Sequence, residues 1–219
     1  MTVKFNQYWR IDPEKRSEYV TFILKKYIPG VNRLGIHIVA GWVVLVGGYS
    51  EIILEAVAND LHLLEEALTN SKYKTLSQDL LKFIKGYKSK VLVSSGRKEA
   101  YSKEIQTEII KFNQSWDIIS KHYNDYTNFT AQTFYPCMEE LGIRIAGEWE
   151  VLIGEGPRMI CEGRTDQSDK LLERLRGNLF QKVLWELKRF VENYESRILT
   201  FHIQKSIGYK TQHYELVLI

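Results

Sequence analysis

The chain is poor in cysteine and proline, and it has no long apolar run. Its 219 residues include two cysteines and four prolines. Cys137 and Cys161 have neither CxxC spacing nor a nearby histidine, so we expect buried thiols in a reducing compartment and no disulfide framework or metal site. The longest apolar run, 39–46, is too short to cross a bilayer. Residues 1–16 are too polar for a signal peptide, so a cytoplasmic location is predicted.

An excess of one charge is also missing. Thirty basic and 27 acidic residues give a formal charge of +3, and the two signs are interleaved along the chain. A nucleic-acid-binding protein usually concentrates positive charge on one face, so neither nucleic acid nor a membrane is an expected partner. Aromatic residues are plentiful, with 13 tyrosines and five tryptophans. On strands they fit core packing first and an apolar ligand pocket second.

What the sequence does contain is an internal repeat. Phe5-Asn6-Gln7 recurs as Phe112-Asn113-Gln114, an offset of 107 residues, and the same offset relates Leu34-Gly35-Ile36 to Leu141-Gly142-Ile143 and Trp42 to Trp149. No insertion or deletion is needed, and no linker rich in proline, glycine or serine separates the copies. We therefore predict one folding unit written twice, with a first repeat at 1–103 and a second at 104–219.

Local patterns within the first repeat predict its elements. Asp12 and Pro13 are an N-cap and a first helical position, and Pro29-Gly30 is expected to end that helix. The predicted elements are a strand at 3–9, this helix, strands at 34–39 and 42–49 joined by a tight turn at Ala40-Gly41, helices at 53–68 and 75–87, and a strand at 91–93. The order β-α-β-β-α-α-β is the ferredoxin-like plan. Extra strands are predicted at 104–116 and 212–218.

This arrangement resembles the dimeric α/β barrel superfamily. The resemblance lies in a first helix that ends in proline, Leu34-Gly35-Ile36, a hairpin with Trp42 and a two-part second helix. The pattern L-G-I…W-x-V-L-x-G is most similar to small NIPSNAP-like members. Because members usually build the barrel from two chains, the resemblance implies an α+β fold in which two tandem ferredoxin-like repeats form the barrel within one chain.

The same resemblance implies several activities. The superfamily includes cofactor-free monooxygenases, haem-degrading enzymes, isomerases and lactonases of small aromatic compounds, and tandem-repeat haem enzymes similar to chlorite dismutase. The fold alone does not choose among them.

The strands point to a site between the two sheets. Strands that are apolar on both faces must be packed on both faces, and the helices of a ferredoxin-like unit pack on only one face of its sheet. The second repeat is therefore expected to pack on the other face, with a cavity between the two sheets. A two-residue turn at 40–41 would put His37 on the face of Trp42. At the 107 offset His37 becomes Arg144, whereas the tryptophan persists as Trp149. We predict that His37 acts as an acid or base toward the ligand and that Arg144 holds an anionic group of the ligand. Trp42 and Trp149 are predicted to line the cavity.

The asparagines of the first strand of each repeat are further candidates. Leaving a buried amide unpaired costs roughly 1–3 kcal/mol, so Asn6 and Asn113 either find backbone partners or face a ligand. Haem-degrading members resemble this chain in having an asparagine on the first strand. Because Gln7 and Gln114 alternate with the asparagines, one amide of each pair should face the helices. We predict that Asn6 or Asn113 orients a carbonyl or dioxygen.

The remaining polar residues are weaker candidates. Glu148 and Glu150 flank Trp149 on the predicted hairpin, where solvated carboxylates are expected rather than a general acid pair. A haem would need an axial histidine, for which His37 and His202 are the strand positions. No pair of histidines has ligand spacing. We therefore predict no metal and no cofactor, with haem as an alternative.

These observations predict that the chain binds a small apolar or aromatic metabolite and turns it over by cofactor-free oxidation or isomerisation. The alternative is a non-catalytic interaction module with a filled core. In that case the predicted edge strands 104–112 and 212–218 would make a homo-oligomer by strand pairing. A further alternative is a haem-binding or haem-degrading protein.

Overall fold

A computed structural model describes residues 2–48, 51–98, 110–207 and 212–217. The chain divides into two compact units: one contains described residues up to Leu92 and from Phe201 onward, and the other runs from Val93 to Thr200. The elements up to the end of the first sheet are β1 (Val3–Ile11), α1 (Arg16–Phe22), a π-helical turn (Ile23–Tyr27), α2 (Ile28–Asn32), β2 (His37–Val46), β3 (Glu51–Ala58), α3 (Leu61–Thr69), α4 (Ser71–Leu80) and β4 (Ile84–Ser94).

The rest of the chain follows the same order. Its elements are β5 (Ile110–Ile118), α5 (Tyr123–Phe129), a π-helical turn (Thr130–Phe134), α6 (Tyr135–Glu140), β6 (Arg144–Ile153), β7 (Met159–Thr165), α7 (Ser168–Arg176), α8 (Asn178–Leu187), β8 (Val191–Ile207) and β9 (Gln212–Leu216). β8 begins in the second unit and ends in the first, where β9 pairs with it. The fold is therefore mixed α and β, with antiparallel strand pairing in both units.

Within each unit the strands pair in the same order and with the same register. In the first unit β3 lies between β1 and β2, and β1 also pairs with β4. In the second unit β7 lies between β5 and β6, and β5 also pairs with β8. Asn6 is opposite Glu55, and Asn113 is opposite Glu162. The bounds of β1, β2, α3 and α4 recur unchanged in β5, β6, α7 and α8 when the 107-residue offset is applied.

The first helical segment does not end at Pro29-Gly30, so that prediction is wrong. It continues through α2 to Asn32. A proline at 29 has no N–H for the carbonyl four residues earlier, and its ring would clash there. The π-helical turn removes this conflict: the N–H of Ile28 donates to the carbonyl of Ile23, five residues back. The segment before Pro136 does the same, since Tyr135 donates to Thr130.

The predicted turn at Ala40-Gly41 is also wrong. These residues lie inside one strand, β2, which has a bulge between Ile38 and Ala40. The hairpin joins β2 to β3 beyond Val46, and the residues predicted as the start of a helix at 53–68 are strand β3. The helix begins only at Leu61, where the Asp60 side chain accepts from the N–H of Leu63 at 2.8 Å. The predicted order of element types is nevertheless the observed one.

The predicted extra strands have different outcomes. Residues 104–109 lie outside the described part of the chain. Ile110–Phe112 belongs to β5, which pairs with a strand on each side. The prediction that these residues form an edge strand is therefore wrong. Gln212–Leu216 is a strand, β9, that pairs with β8.

Candidate functional site

The two faces of the first unit's sheet carry different polar groups. Gln7 faces the helices, where its Nε2 lies within hydrogen-bond distance of the hydroxyls of Tyr27 at 2.7 Å, Tyr87 at 2.9 Å and Tyr73 at 3.2 Å. Because side chains alternate along a strand, the neighbouring Asn6 lies on the opposite face. One amide of the pair therefore faces the helices, as predicted. We call the opposite face the Asn6 face.

A buried carboxylate organises the Asn6 face. Lys4 Nζ lies 3.1 Å from Glu55 Oε1, and Trp42 Nε1 donates to Glu55 Oε2 at 2.9 Å. All three side chains are buried. Both oxygens of Glu55 are thus engaged, and the negative charge is paired within the unit, as a buried carboxylate requires.

The second unit repeats this ion pair. Lys111 Nζ lies 2.9 Å from Glu162 Oε1, and both side chains are buried. These positions correspond to Lys4 and Glu55 at the 107 offset. The face of β5 that carries Lys111 also carries Asn113, and we call it the Asn113 face.

The two asparagines each leave one acceptor open. Within the described part of the chain, Oδ1 of Asn6 and Oδ1 of Asn113 are buried and have no hydrogen-bond partner. The Asn6 amide nitrogen makes a long contact of 3.4 Å with the Tyr8 hydroxyl. An unsatisfied buried acceptor costs roughly 1–3 kcal/mol, so these oxygens are suitable acceptors for a ligand's N–H or O–H.

The other predicted site residues lie in different environments. His37 is exposed at the start of β2 and pairs across the strands with Val57. It shares the face of Trp42, as predicted, but the bulge rather than a turn sets this orientation. Trp42 is buried, and its ring stacks on Phe201 at 4.2 Å between centroids. The structure therefore brings Asn6 and Trp42 to the same carboxylate and leaves His37 at an exposed strand end.

Their counterparts in the second unit are similarly divided. Arg144 is exposed at the start of β6, opposite Arg164 of β7. Trp149 is buried in the same strand. Their predicted roles, and that of His37, stay predictions.

Glu148 is not solvated, so that prediction is wrong, whereas Glu150 is exposed as expected. Glu148 lies opposite Cys161 of β7, which places it on the helix side of the second sheet. Its side chain is fully buried. It accepts from the Tyr126 hydroxyl through Oε1, and from Ser95 Oγ and Arg97 Nε through Oε2, each of the last two at 2.6 Å.

Aromatic rings surround this carboxylate and its cation. The Arg97 guanidinium lies 5.6 Å from the ring centre of Tyr123 and 5.3 Å from that of Tyr126. We call Ser95, Arg97, Tyr123, Tyr126 and Glu148 the Glu148 cluster. Burial opposes the charge of Arg97, but Glu148, Tyr126 and Tyr123 together outweigh burial and raise the pKa of the guanidinium. Burial, reinforced by Glu148, also raises the pKa of Tyr126.

The two cysteines are free and buried, as predicted. Burial raises the pKa of the Cys161 thiol well above its usual range, and the nearby Glu148 carboxylate adds to the effect. Burial also raises the pKa of Cys137. Thiols that are kept protonated in this way are poor nucleophiles.

Comparing the repeats would have revealed the Glu148 cluster. Glu148 corresponds to Gly41, and the other cluster positions differ as well: Arg97 corresponds to Gln204 and Ser95 to His202. The first unit keeps one hydrogen bond found beside the cluster: Trp9 Nε1 donates to the Tyr19 hydroxyl at 3.2 Å, as Trp116 Nε1 does to Tyr126 at 3.1 Å. The glutamate at 148, where the other repeat has Gly41 on a strand, was therefore the feature of the sequence that could have indicated this cluster.

The five histidines, two of which were predicted as possible axial haem ligands, lie in different environments. All five are described: His37, His62 and His213 are exposed, His122 is half-buried against Phe190, and His202 is buried with its ring stacked on Tyr19 at 6.0 Å. Of the two strand positions predicted for an axial ligand, His202 is buried and His37 is exposed, and haem stays an alternative prediction.

Other described features do not add a site. In the described ranges no three His, Cys, Asp or Glu side chains are grouped so that they could hold a metal ion. An open groove of about 570 Å³ lies at the start of α1, and the predicted site residues are not among those that line it. Among the helices of the described residues, none combines the length and the apolar character that crossing a membrane requires.

Comparison with known proteins shows the fold. No protein-family model and no curated protein matches the chain. It is similar to a solved candidate monooxygenase from Fusobacterium nucleatum subsp. nucleatum, at 10% identity over 99% of this chain and 98% of that chain, with a TM-score of 0.63. It is also similar to an anthrone oxidase-like protein, at 12% identity over 96% and 94% of the two chains, with a TM-score of 0.62.

A variant chlorite dismutase from Candidatus Nitrospira defluvii, solved with cyanide, matches at 10% identity over 91% and 90% of the chains, with a TM-score of 0.61. Solved NIPSNAP-family proteins also match, one from Agrobacterium tumefaciens over 43% of this chain at a TM-score of 0.38, a likeness too partial to carry weight. The three similarities with TM-scores above 0.6 show that the chain has the fold of the dimeric α/β barrel superfamily.

Proposed function

We propose that the protein binds a small apolar or aromatic metabolite against the Asn6 face or the Asn113 face. It turns this metabolite over by oxidation or isomerisation without a bound cofactor. The observation that carries the proposal is the pair of buried amide oxygens, Asn6 Oδ1 and Asn113 Oδ1, without partners in the described residues. Oxidative chemistry is favoured because the fold neighbours include a candidate monooxygenase and an anthrone oxidase-like protein.

Each predicted residue has a role in this proposal. Asn6 and Asn113 accept a hydrogen bond from the substrate and so orient its reacting carbon. His37 moves a proton, and its exposed position lets it exchange that proton with solvent. Trp42 and Trp149 provide apolar contact. Trp42 can contribute only its ring, because its N–H is engaged by Glu55. Arg144 holds an anionic group.

The proposal includes the organisation of the chain. Residues 1–103 and 104–219 are two copies of one ferredoxin-like unit, and the fused pair takes the place of the two chains that members of the superfamily use. The recurrence of element bounds and strand registers at the 107 offset supports this view.

Anthrone is a suitable first probe, because its enol tautomer carries an O–H that the asparagine oxygens can accept. Its oxidation by dioxygen balances without a cofactor: the two hydrogens of the methylene carbon leave as water with one oxygen atom, and the other oxygen becomes the second carbonyl of anthraquinone. Oxygen uptake and quinone absorbance would follow the reaction. We expect Asn6→Ala and Asn113→Ala together to lower kcat/KM about 100-fold, the usual effect of losing an orienting hydrogen bond.

Asn59→Ala is the matched control, because Asn59 is exposed and outside the Asn6 face. It should leave kcat/KM unchanged. Equal rates for the Asn6/Asn113 double variant and the wild type would remove the amides from the proposal. Failure of the wild type to bind or oxidise anthrone or other fused-ring ketones would overturn the proposed substrate class.

A specific observation favours the second candidate, a non-catalytic module. The charges on the Asn6 face are already paired, and Trp42 is stacked on Phe201, as in a filled core. Native mass spectrometry of freshly purified protein separates the two functions. A mass above a whole number of chains indicates a retained ligand, whereas clean multiples of the chain mass favour an oligomerising module.

A further inference from the structure

We propose that the Glu148 cluster is a binding site for a small organic cation, a guanidinium or a primary ammonium, and that Arg97 is an occupant supplied by the chain itself. The cluster lies on the helix side of the second unit's sheet and shares no residue with the site proposed above. The two proposals therefore stand or fall separately.

Hydrogen-bond donors of the fold hold the Glu148 carboxylate in place. Glu148 is fully buried, and its Oε1 is held by the Tyr126 hydroxyl, which itself accepts from Trp116 Nε1 at 3.1 Å. Ser95 Oγ holds Oε2 at 2.6 Å, on the oxygen that also accepts from Arg97. Two neutral donors in series thus fix Oε1 and a third fixes Oε2, and among the described hydrogen-bond partners of the carboxylate Arg97 alone brings a positive charge.

The fold does not need this carboxylate. The first unit forms the same order of strands and helices with Gly41 at the position of Glu148 and Gln204 at the position of Arg97. The aromatic pair persists there without an acid, as Trp9 and Tyr19. Burying a carboxylate costs several kcal/mol in desolvation, so a buried acid that the fold does not require indicates a binding role.

The ligand that replaces Arg97 must carry a positive charge. A neutral ligand that displaced Arg97 would leave Glu148 buried and unpaired, which costs about 3–5 kcal/mol, so only a cation can replace it. Tyr123 and Tyr126 present ring faces to that cation, and this is how aromatic side chains recognise guanidinium and ammonium groups. Tyr123 is half-exposed and forms the rim through which a small ligand enters.

Arg97 can be displaced from the carboxylate. It follows β4 and lies outside any helix or strand. Its guanidinium is held by Glu148, by the Tyr123 hydroxyl at 2.9 Å and by a 3.7 Å contact with Met159 Sδ. The attached segment is an internal competitor with an effective concentration in the millimolar range, so removing Arg97 should expose a tighter site.

Ethylguanidinium is the probe. We expect it to raise the Tm of Arg97→Ala saturably, and to bind this variant at least ~10-fold more tightly than the wild type. The double variant R97A/E148Q should show no saturable response, because it lacks the charged acceptor. Gln204→Ala, at the matching position of the first unit, should behave like the wild type.

Two further measurements keep the proposal testable if Arg97→Ala folds poorly. Arg97→Gln retains most of the side-chain length and should respond as Arg97→Ala does. In the wild type, ethylguanidinium should shift the NMR signal of the Arg97 Nε–H toward that of free arginine. Equal Tm shifts in all variants, or no response of folded Arg97→Ala and Arg97→Gln together with an unmoved Arg97 signal, would overturn the proposal.

Discussion

Alkaline pH should unfold this protein steeply, because seven tyrosines are held in their neutral form by the folded structure. Burial is the largest cause at each of them, and it raises their pKa values above the ordinary range. They are Tyr19, Tyr27, Tyr73, Tyr87, Tyr126, Tyr135 and Tyr194.

The sign of the effect follows from the raised folded-state pKa. In the unfolded chain these phenols ionise near their ordinary pKa of about 10, whereas in the folded state they stay protonated. Above that pH the unfolded state loses protons that the folded state keeps, so the free energy of unfolding falls as pH rises. At about pH 11 each tyrosine contributes about 1.4 kcal/mol of destabilisation, or about 10 kcal/mol for the seven, comparable with the whole stability of a typical domain.

Urea titrations at increasing pH, followed by circular dichroism, would measure this loss. Tyrosinate absorbance should rise for these residues only as the circular dichroism signal disappears. Tyr27→Phe removes one of the seven and should reduce the slope above about pH 11 by about 1.4 kcal/mol per pH unit. Full ionisation of all the tyrosines near their ordinary pKa, with circular dichroism unchanged, would refute the reasoning.

Three smaller predictions concern single contacts, each checked by urea unfolding. Lys4→Met should cost about 3–5 kcal/mol, because it leaves the buried Glu55 carboxylate without its cation, and Glu55→Gln in the same chain should recover part of the loss. Gly163→Ala should cost about 1–3 kcal/mol or more, because the added Cβ would lie 2.5 Å from Ile143 Cγ2. Asp60→Ala should cost about 1 kcal/mol through loss of the α3 N-cap, and an unchanged midpoint would contradict the capping role.

The order of elements could be predicted from the sequence, but their bounds could not. Residues 53–58 are continuously apolar apart from Glu55, and a short apolar run fits either a buried strand or a helix segment. The pairing of β3 between β1 and β2 decides for a strand. Pro29 likewise predicted a helix end, because the sequence does not show that a wider turn before the proline keeps the helix going.

The sequence predicted the candidate site only where the alternation of side chains along a strand determines which face of the sheet a residue lies on. The alternation of Asn6 and Gln7 predicted that one amide faces the helices and the other does not, and the contacts of Gln7 confirm it. Glu148 was predicted to be solvated because it lies on a predicted hairpin, where carboxylates usually meet solvent. Its burial depends on Arg97, which lies 51 residues away and supplies the compensating charge.

The sequence by itself determined the repeat, the order of strands and helices, and the alternation that divides each sheet into two faces. These properties are periodic, and a period is visible in residue order. Only the tertiary structure decided which charges are buried, because a buried carboxylate is stable only beside a cation and hydrogen-bond donors that the fold brings from distant positions. The pairing of Lys4 with Glu55, and of Arg97 with Glu148, is therefore a property of the folded chain.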